Sequence, residues 1–164
     1  MNCWKKWLKI ILELTKINMR ILGIDYGDAR VGIAITDGLN ITVQGLETIQ
    51  RNNSDKVVLR RLDELLEQYE VDTFVIGMPL NMDGTMSQRG EITNEFIHKL
   101  KCKYNKMKIE TVDERLTTVE AHKTMNFLDV NKHKKKNIVD TISAVYILET
   151  YLNKFKNLLQ NDDK

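Results

Sequence analysis

The chain has 164 residues, of which 42% are hydrophobic and 29% charged, a composition typical of one folded domain and not of a disordered chain. The net charge is only +2, so attraction to a polyanion has to come from local basic patches. The two cysteines, Cys3 and Cys102, form no CxxC pair and no zinc-ligand spacing with the three histidines, which argues against a zinc site and favours a cytoplasmic protein.

Residues 1–18 differ in composition from the remainder of the chain. They hold both tryptophans, Trp4 and Trp7, in a basic segment with helical spacing of its apolar residues. Its longest apolar run, residues 10–12, is far too short to span a bilayer. We expect an extension outside a domain that begins at Met19, although a helix that binds a membrane surface or a partner fits the same pattern.

Three strands open the predicted domain. Runs rich in β-branched residues predict strands over 21–25 and 31–36, and a third strand is expected within 42–49. Gly27 and Asp28 suit the tight turn between the first two strands. Short connections make all three strands antiparallel.

Helices and strands then alternate. Apolar residues with helical spacing predict amphipathic helices, and short apolar runs predict two further strands. The helices are expected over 55–69 and 87–101, and the strands over 72–76 and 108–112. A loop is expected at 77–81, which contains the single proline, and Asp83-Gly84 signals a turn.

Two more helices complete the prediction. Capping-box spacing indicates a helix over 117–128, a basic loop follows at 132–136, and a last helix is expected over 138–152. The domain is taken as 19–155, with a polar tail at 156–164. The order predicts an α/β fold with a five-stranded mixed sheet, antiparallel and then parallel, flanked by helices. Carboxyl ends of its parallel strands gather at one edge.

Acidic residues mark that edge. Asp25 ends the first strand, Asp113 and Glu114 follow the fifth, and Asp140 is expected to open the last helix. Asp140 is the only charged residue from 138 to 148, in a helix that is apolar nearly all round, so its carboxylate needs a partner, for which a cation is the natural candidate. The same acids have explanations without a metal. Asp25 would cap its own turn, the helix dipole would favour Asp140, and Asp113 and Glu114 would lie in an exposed loop.

The ligand chemistry points to hydrolysis. Carboxylate oxygens without a suitable Cys or His set favour Mg²⁺ or Mn²⁺, which fits phosphodiester hydrolysis by metal-activated water with one or two metals. The basic run at 132–136 can hold a nucleic-acid backbone, but such runs are most often solvated faces.

Four sequence motifs carry a family resemblance. They are Asp-Tyr-Gly at 25–27 with Arg-Val-Gly at 30–32, Gly-Met-Pro-Leu-Asn-Met-Asp-Gly at 77–84, Asp-Glu-Arg-Leu-Thr-Thr at 113–118 with Glu-Ala at 120–121, and Val-Asp at 139–140 with Ser-Ala at 143–144. In this set and order the chain resembles the YqgF/RuvX family of pre-16S rRNA nucleases, also called Holliday junction resolvases.

The resemblance implies a ribonuclease H-like fold and a metal-dependent nuclease site. It implies that Asp25, Glu114 and Asp140 are the catalytic acids and metal ligands, with Asp113 beside them. Many enzymes of this fold carry an acid after the fourth strand, where this chain has Gly-Met-Pro, so the second ligand must come from Asp113 or Glu114, and which of the two stays open. Candidate nucleic-acid-binding residues are Arg30, Asn81, Arg115, Lys134, Lys135 and Lys136.

The substrate implied is RNA, in 5′-end processing of pre-16S rRNA during ribosome biogenesis, or else branched DNA. Two other classes stay open. Ile-Asp-Tyr-Gly at 24–27 also resembles the first phosphate motif of sugar kinases and actin-like ATPases. A non-catalytic module that binds the ribosome or DNA, with the acids retained for stability, is the other class. We expect no membrane partner and a monomer or weak homodimer.

Overall fold

A computed structural model describes residues 19–52, 54–114 and 132–161, with the side chains of its last helix described over 139–154. The strands are β1 (Arg20–Tyr26), β2 (Arg30–Thr36), β3 (Val43–Gln50), β4 (Val71–Met78) and β5 (Lys108–Asp113). The described helices are α1 (Asp55–Gln68), α2 (Gln88–Lys103) and α3 (Lys132–Asn161). None of these helices is long and apolar enough to cross a membrane.

The sheet has the order β3-β2-β1-β4-β5. β1 pairs antiparallel with β2, and β2 pairs antiparallel with β3. β4 lies parallel to both β1 and β5. The predicted five-stranded mixed sheet is therefore confirmed, and the carboxyl ends of β1, β4 and β5 lie at one edge.

Side-chain alternation along β1 separates two cores. Leu22, Ile24 and Tyr26 belong to the core on the α1 and α2 face of the sheet, together with Leu62 and Phe96. The opposite face packs against α3 in a second core formed by Ile21, Ala34, Val75, Val112, Ala144, Ile147, Leu148 and Leu152. Asp25 follows the phase of Ile21, so its side chain belongs to the α3 face.

Glycines allow α3 to lie directly on the sheet. A Cβ atom at Gly32 would stand 1.9 Å from the backbone oxygen of Asp140, and one at Gly23 would stand 2.9 Å from that of Ala144. Only residues without a side chain permit this approach. The close packing holds Asp140 against β2, opposite the end of β1, since Gly32 pairs with Asp25.

Three predicted boundaries were wrong. The last helix begins at Lys132, so residues 132–136 belong to a helix and Asp140 does not open it. Its 30 residues contain no Gly or Pro, and lysine is a good helix former, so the basic run continues the helix. The helix also reaches Asn161, within the expected polar tail. β4 extends through Met78, because Gly77 and Met78 pair with β5, so both belong to the strand and not to the loop.

Candidate functional site

Three carboxylates from separate elements converge at the end of β1. Burial raises the pKa of Asp25 to about 7, helped by the negative charges of Glu114 and Asp140. Ser143, one turn after Asp140 on α3, donates a hydrogen bond to the Asp25 carboxylate, which lowers that pKa. Three like charges placed together in a partly buried site form an arrangement that a cation would stabilise.

Glu114 occupies space that Gly77 leaves open. A Cβ atom at Gly77 would stand 2.2 Å from Oε1 of Glu114, so the carboxylate lies directly over the glycine. The Glu114 backbone N–H donates to the carbonyl oxygen of Met78 at 3.1 Å, which ties the residue after β5 to the end of β4. At the end of β4, where this chain has Gly77, the carboxylate present is thus that of a residue that follows β5.

Strand alternation separates Glu114 from Asp113. Val112 lies in the core under α3, so the same phase brings Glu114 to the face of Asp25 and turns Asp113 away from it. Burial raises the pKa of Glu114, and the charge of Asp113 adds to that increase. Glu114 is thus the member of the pair whose charge acts on Asp25.

Asp140 has an arginine as its partner. Nε of Arg30 donates to Oδ2 of Asp140 at 2.6 Å, and the two side chains are 27% and 21% exposed. The expectation that a bound cation pairs with this carboxylate stays a prediction, since in this structure the Arg30 guanidinium pairs with it. The ion pair also places Arg30 beside the acidic cluster.

Arg89 is a functional candidate that the sequence analysis missed. It lies in the first turn of α2, where its charge lowers the pKa of both Asp25 and Glu114. Its Nε stands 3.8 Å from Oδ2 of Asp28 in the β1–β2 turn. A signal existed in the sequence, because a cation in the first turn of a predicted helix opposes the helix dipole.

The loop between β4 and α2 closes on itself. The Asn81 side-chain amide donates to Oγ1 of Thr85 at 2.8 Å and to the carbonyl oxygen of Met86 at 3.2 Å. Gly84 has a φ of 86°, as the predicted turn requires. Asn81, an expected nucleic-acid contact, therefore has a structural role in this loop, and its contact with a substrate stays a prediction.

The donor set suits a hard divalent ion in its chemistry. Carboxylates of Asp and Glu are the oxygen ligands that Mg²⁺ and Mn²⁺ prefer. Burial, followed by the negative charges of Glu114 and Asp140, raises the pKa of Asp25, and a bound ion would stabilise its charged form. Over the described ranges, however, no three Asp, Glu, His or Cys side chains stand close enough together to hold a metal. Metal binding would require Asp25, Glu114 and Asp140 to draw together.

Several expected features lie outside the described residues. These are the extension at 1–18, the helix at 117–128, Arg115, and the side chains of Lys134, Lys135 and Lys136.

Comparison with known proteins identifies the family. Residues 19–154 match the family model "RuvX: Holliday junction resolvase". A protein of Acetivibrio thermocellus named "Putative pre-16S rRNA nuclease" is 52% identical over 82% of this chain and 95% of its own length. One of the same name from Ruminiclostridium cellulolyticum is 52% identical over 83% and 95%.

Solved structures are more distant. Thermus thermophilus RuvC in complex with a Holliday junction substrate is 10% identical, with a TM-score of 0.46 over 80% of this chain and 96% of that one. The yeast mitochondrial Holliday junction resolvase Ydc2 is 11% identical, with a TM-score of 0.48 over 88% and 84%. The match to the family model and the identity to the curated relatives establish the family: the chain belongs to the RuvX family.

Proposed function

We propose that this protein is a divalent-metal-dependent nuclease that hydrolyses phosphodiester bonds in the 5′-end processing of pre-16S rRNA. The observation that carries the proposal is the cluster of Asp25, Glu114 and Asp140 at the carboxyl edge of the sheet, with the pKa of Asp25 raised to about 7. The names of the two relatives at 52% identity support RNA as the substrate.

Residues of this chain would hold the metal ion and orient its ligands. Asp25, Glu114 and Asp140 would hold the ion, with Asp113 as the alternative ligand. Bound Mg²⁺ or Mn²⁺ would supply Lewis acidity at the attacking water and at the leaving oxygen. The hydrogen bond from Ser143 orients the buried Asp25 carboxylate. An orienting donor of this kind fixes the ligand before substrate arrives.

Substrate contacts complete the proposal. Arg30 lies beside the acids, and Arg115 follows directly after Glu114 in the sequence, so both suit binding of a phosphate near the cluster. Lys134, Lys135 and Lys136 belong to the first turns of α3, the helix that also carries Asp140. We propose a cytoplasmic enzyme, in line with the cysteine usage, that acts as a monomer or weak homodimer.

The experiment is cleavage of labelled pre-rRNA 5′-end fragments and four-way DNA junctions in parallel, each with Mg²⁺, Mn²⁺ or a chelator. We expect cleavage of the RNA with either metal and none with the chelator. Absence of metal-dependent cleavage of both substrates would refute the nuclease proposal.

Branched DNA is the second candidate substrate, because the matching family model is described as a Holliday junction resolvase. Symmetric cuts in the junction, with intact RNA, would select it. Symmetric resolution needs two active sites, so the same preparation should then be dimeric in sedimentation experiments.

A further inference from the structure

We propose that Arg89 is a phosphate-binding residue, which exchanges its ion pair with Asp28 for a backbone phosphate of the nucleic acid and holds that phosphate beside the carboxylate cluster. The inference rests on the proposed function, since it assigns part of the substrate site. The ligand is the phosphodiester group, which RNA and DNA share.

A phosphate that binds beside the acidic cluster needs a cationic residue to neutralise its charge. Asp25, Glu114 and Asp140 together repel any phosphate that approaches them, and repulsion between like charges is strong in a partly buried site. Arg89 stands at the same edge of the sheet, because its Nε lies 3.8 Å from Oδ2 of Asp28, three residues after Asp25 in the β1–β2 turn. A phosphate bound to Arg89 would therefore lie within range of the acids while its own charge is neutralised.

Arg89 can change partners more easily than Arg30. Arg30 and Asp140 are 2.6 Å apart and mostly buried, whereas Arg89 and Asp28 are 3.8 Å apart, with side chains 55% and 71% exposed. An exposed ion pair at that distance contributes little to stability. A phosphate offers an arginine two parallel charge-assisted hydrogen bonds, which compensate for the loss of Asp28.

The backbone beneath Arg89 is held firmly. Ser87 caps α2, because its Oγ accepts a hydrogen bond from the Gly90 N–H at 2.9 Å. The same hydroxyl donates to the carbonyl oxygen of Pro79, just after β4. A Cβ atom at Gly90 would stand 2.8 Å from that oxygen, so the loop and the helix are in close contact. Arg89 thus extends a half-exposed guanidinium from a fixed base at the carboxyl edge of the sheet.

The test measures binding without cleavage. Fluorescence anisotropy of a labelled single-stranded pre-rRNA fragment, and separately of a four-way junction, is followed in chelator at several salt concentrations. The variants are R89Q, R89K and the control R60Q, which removes an equal charge from an exposed position on α1. We expect R89Q to weaken binding at least fivefold and to reduce the slope of log K against log salt by about 0.7 for the single strand.

The other variants sharpen the result. R89K should keep the salt slope but bind more weakly than wild type, since an ammonium lacks the planar fork. D28N should tighten nucleic-acid binding when Arg89 is present, because it removes the carboxylate that competes with phosphate for Arg89. Added to R89Q, the same substitution should have a smaller effect. If R89Q binds both probes like R60Q, the inference is wrong. If R89Q loses binding but the wild-type protein cleaves neither probe, only the nuclease proposal is refuted.

Discussion

At the residue scale, the site depends on a glycine that makes room for an acid. Gly77 has no side chain, and the Glu114 carboxylate fills that space on the face where Asp25 lies. The sequence could not choose between Asp113 and Glu114, because both follow the same strand and only the phase of β5 against α3 separates them. That phase depends on tertiary packing at Val112.

This arrangement predicts unequal effects for two neighbouring substitutions. E114Q should lower the metal-dependent cleavage rate at least ~100-fold, because it removes a ligand charge, whereas D113N should lower it less than ~10-fold. Single-turnover kinetics with saturating enzyme would measure both rates. Equal losses in the two variants would show that the assignment of Glu114 is wrong.

Arg30 leads to a prediction about the metal alone. Its ion pair with Asp140 competes with an ion for that carboxylate, so R30Q should bind Mn²⁺ about fivefold more tightly, equivalent to roughly 1 kcal/mol for a partly exposed pair. Calorimetric titration of Mn²⁺ into R30Q, wild type and the control R60Q would test this. Weaker binding by R30Q would mean that Arg30 orients Asp140 towards the metal instead.

At the element scale, Asp55 joins β1 to both helices on its face of the sheet. It begins α1 and accepts hydrogen bonds from Tyr26 Oη at 2.6 Å, Lys99 Nζ at 2.6 Å and Arg51 Nε at 2.9 Å. The Tyr26 ring stacks on Phe96 of α2 with 4.0 Å between centroids. Burial alone would raise the pKa of Asp55, but the hydrogen bonds from Lys99, Tyr26 and Arg51 outweigh it, and the pKa is lowered.

The lowered pKa of Asp55 determines how the free energy of unfolding changes as the pH falls. The charged form of Asp55 stabilises the fold above the pKa of an unfolded Asp, about 3.9, and this contribution is lost as the pH falls through the lower folded-state pKa. D55N should therefore reduce the free energy of unfolding by about 2 kcal/mol at pH 7 and show a shallower loss below pH ~4. Urea denaturation between pH 7 and 3 would measure both, with the exposed α1 variant E67Q as control. An acid profile of D55N parallel to that of the wild type would contradict this.

Prediction from sequence worked best where patterns are local. The five strands, α1 and α2 follow from alternating or amphipathic runs and were placed within about two residues. The start of α3 was missed, because its first turns are charged and show no apolar period. The Arg30–Asp140 and Arg89–Asp28 pairs could not be predicted, since each joins elements that are distant in the chain.

At the scale of the whole molecule, the glycine-lined face of the sheet holds α3, and α3 holds two of the site's residues, Asp140 and Ser143. The two glycines differ in whether an added Cβ atom would meet backbone or side chain of α3. At Gly32 an added Cβ would meet the backbone oxygen of Asp140 at 1.9 Å, whereas at Gly45 it would meet the Thr141 methyl group at 2.3 Å. A helix backbone cannot yield locally, but a side chain can rotate.

We therefore expect G32A to cost about 3 kcal/mol of unfolding free energy and G45A closer to ~1 kcal/mol. Displacement of Asp140 should also make G32A lose cleavage activity beyond what its reduced stability explains. Thermal denaturation and cleavage below the melting range of both variants would check this. The same cost in both would argue against close backbone packing at Gly32.

Substitution of Asp25 shows whether the acidic cluster is the catalytic site. Because burial and its acidic neighbours disfavour the charged form, D25N should fold at least as stably as the wild type. The measurement is cleavage of the pre-rRNA 5′-end fragment by D25N and wild type with Mg²⁺. We predict at least ~100-fold slower cleavage by D25N, with a melting temperature and an RNA affinity in chelator no lower than those of the wild type. Metal-dependent cleavage by D25N at the wild-type rate would show that the acidic cluster is not the catalytic site.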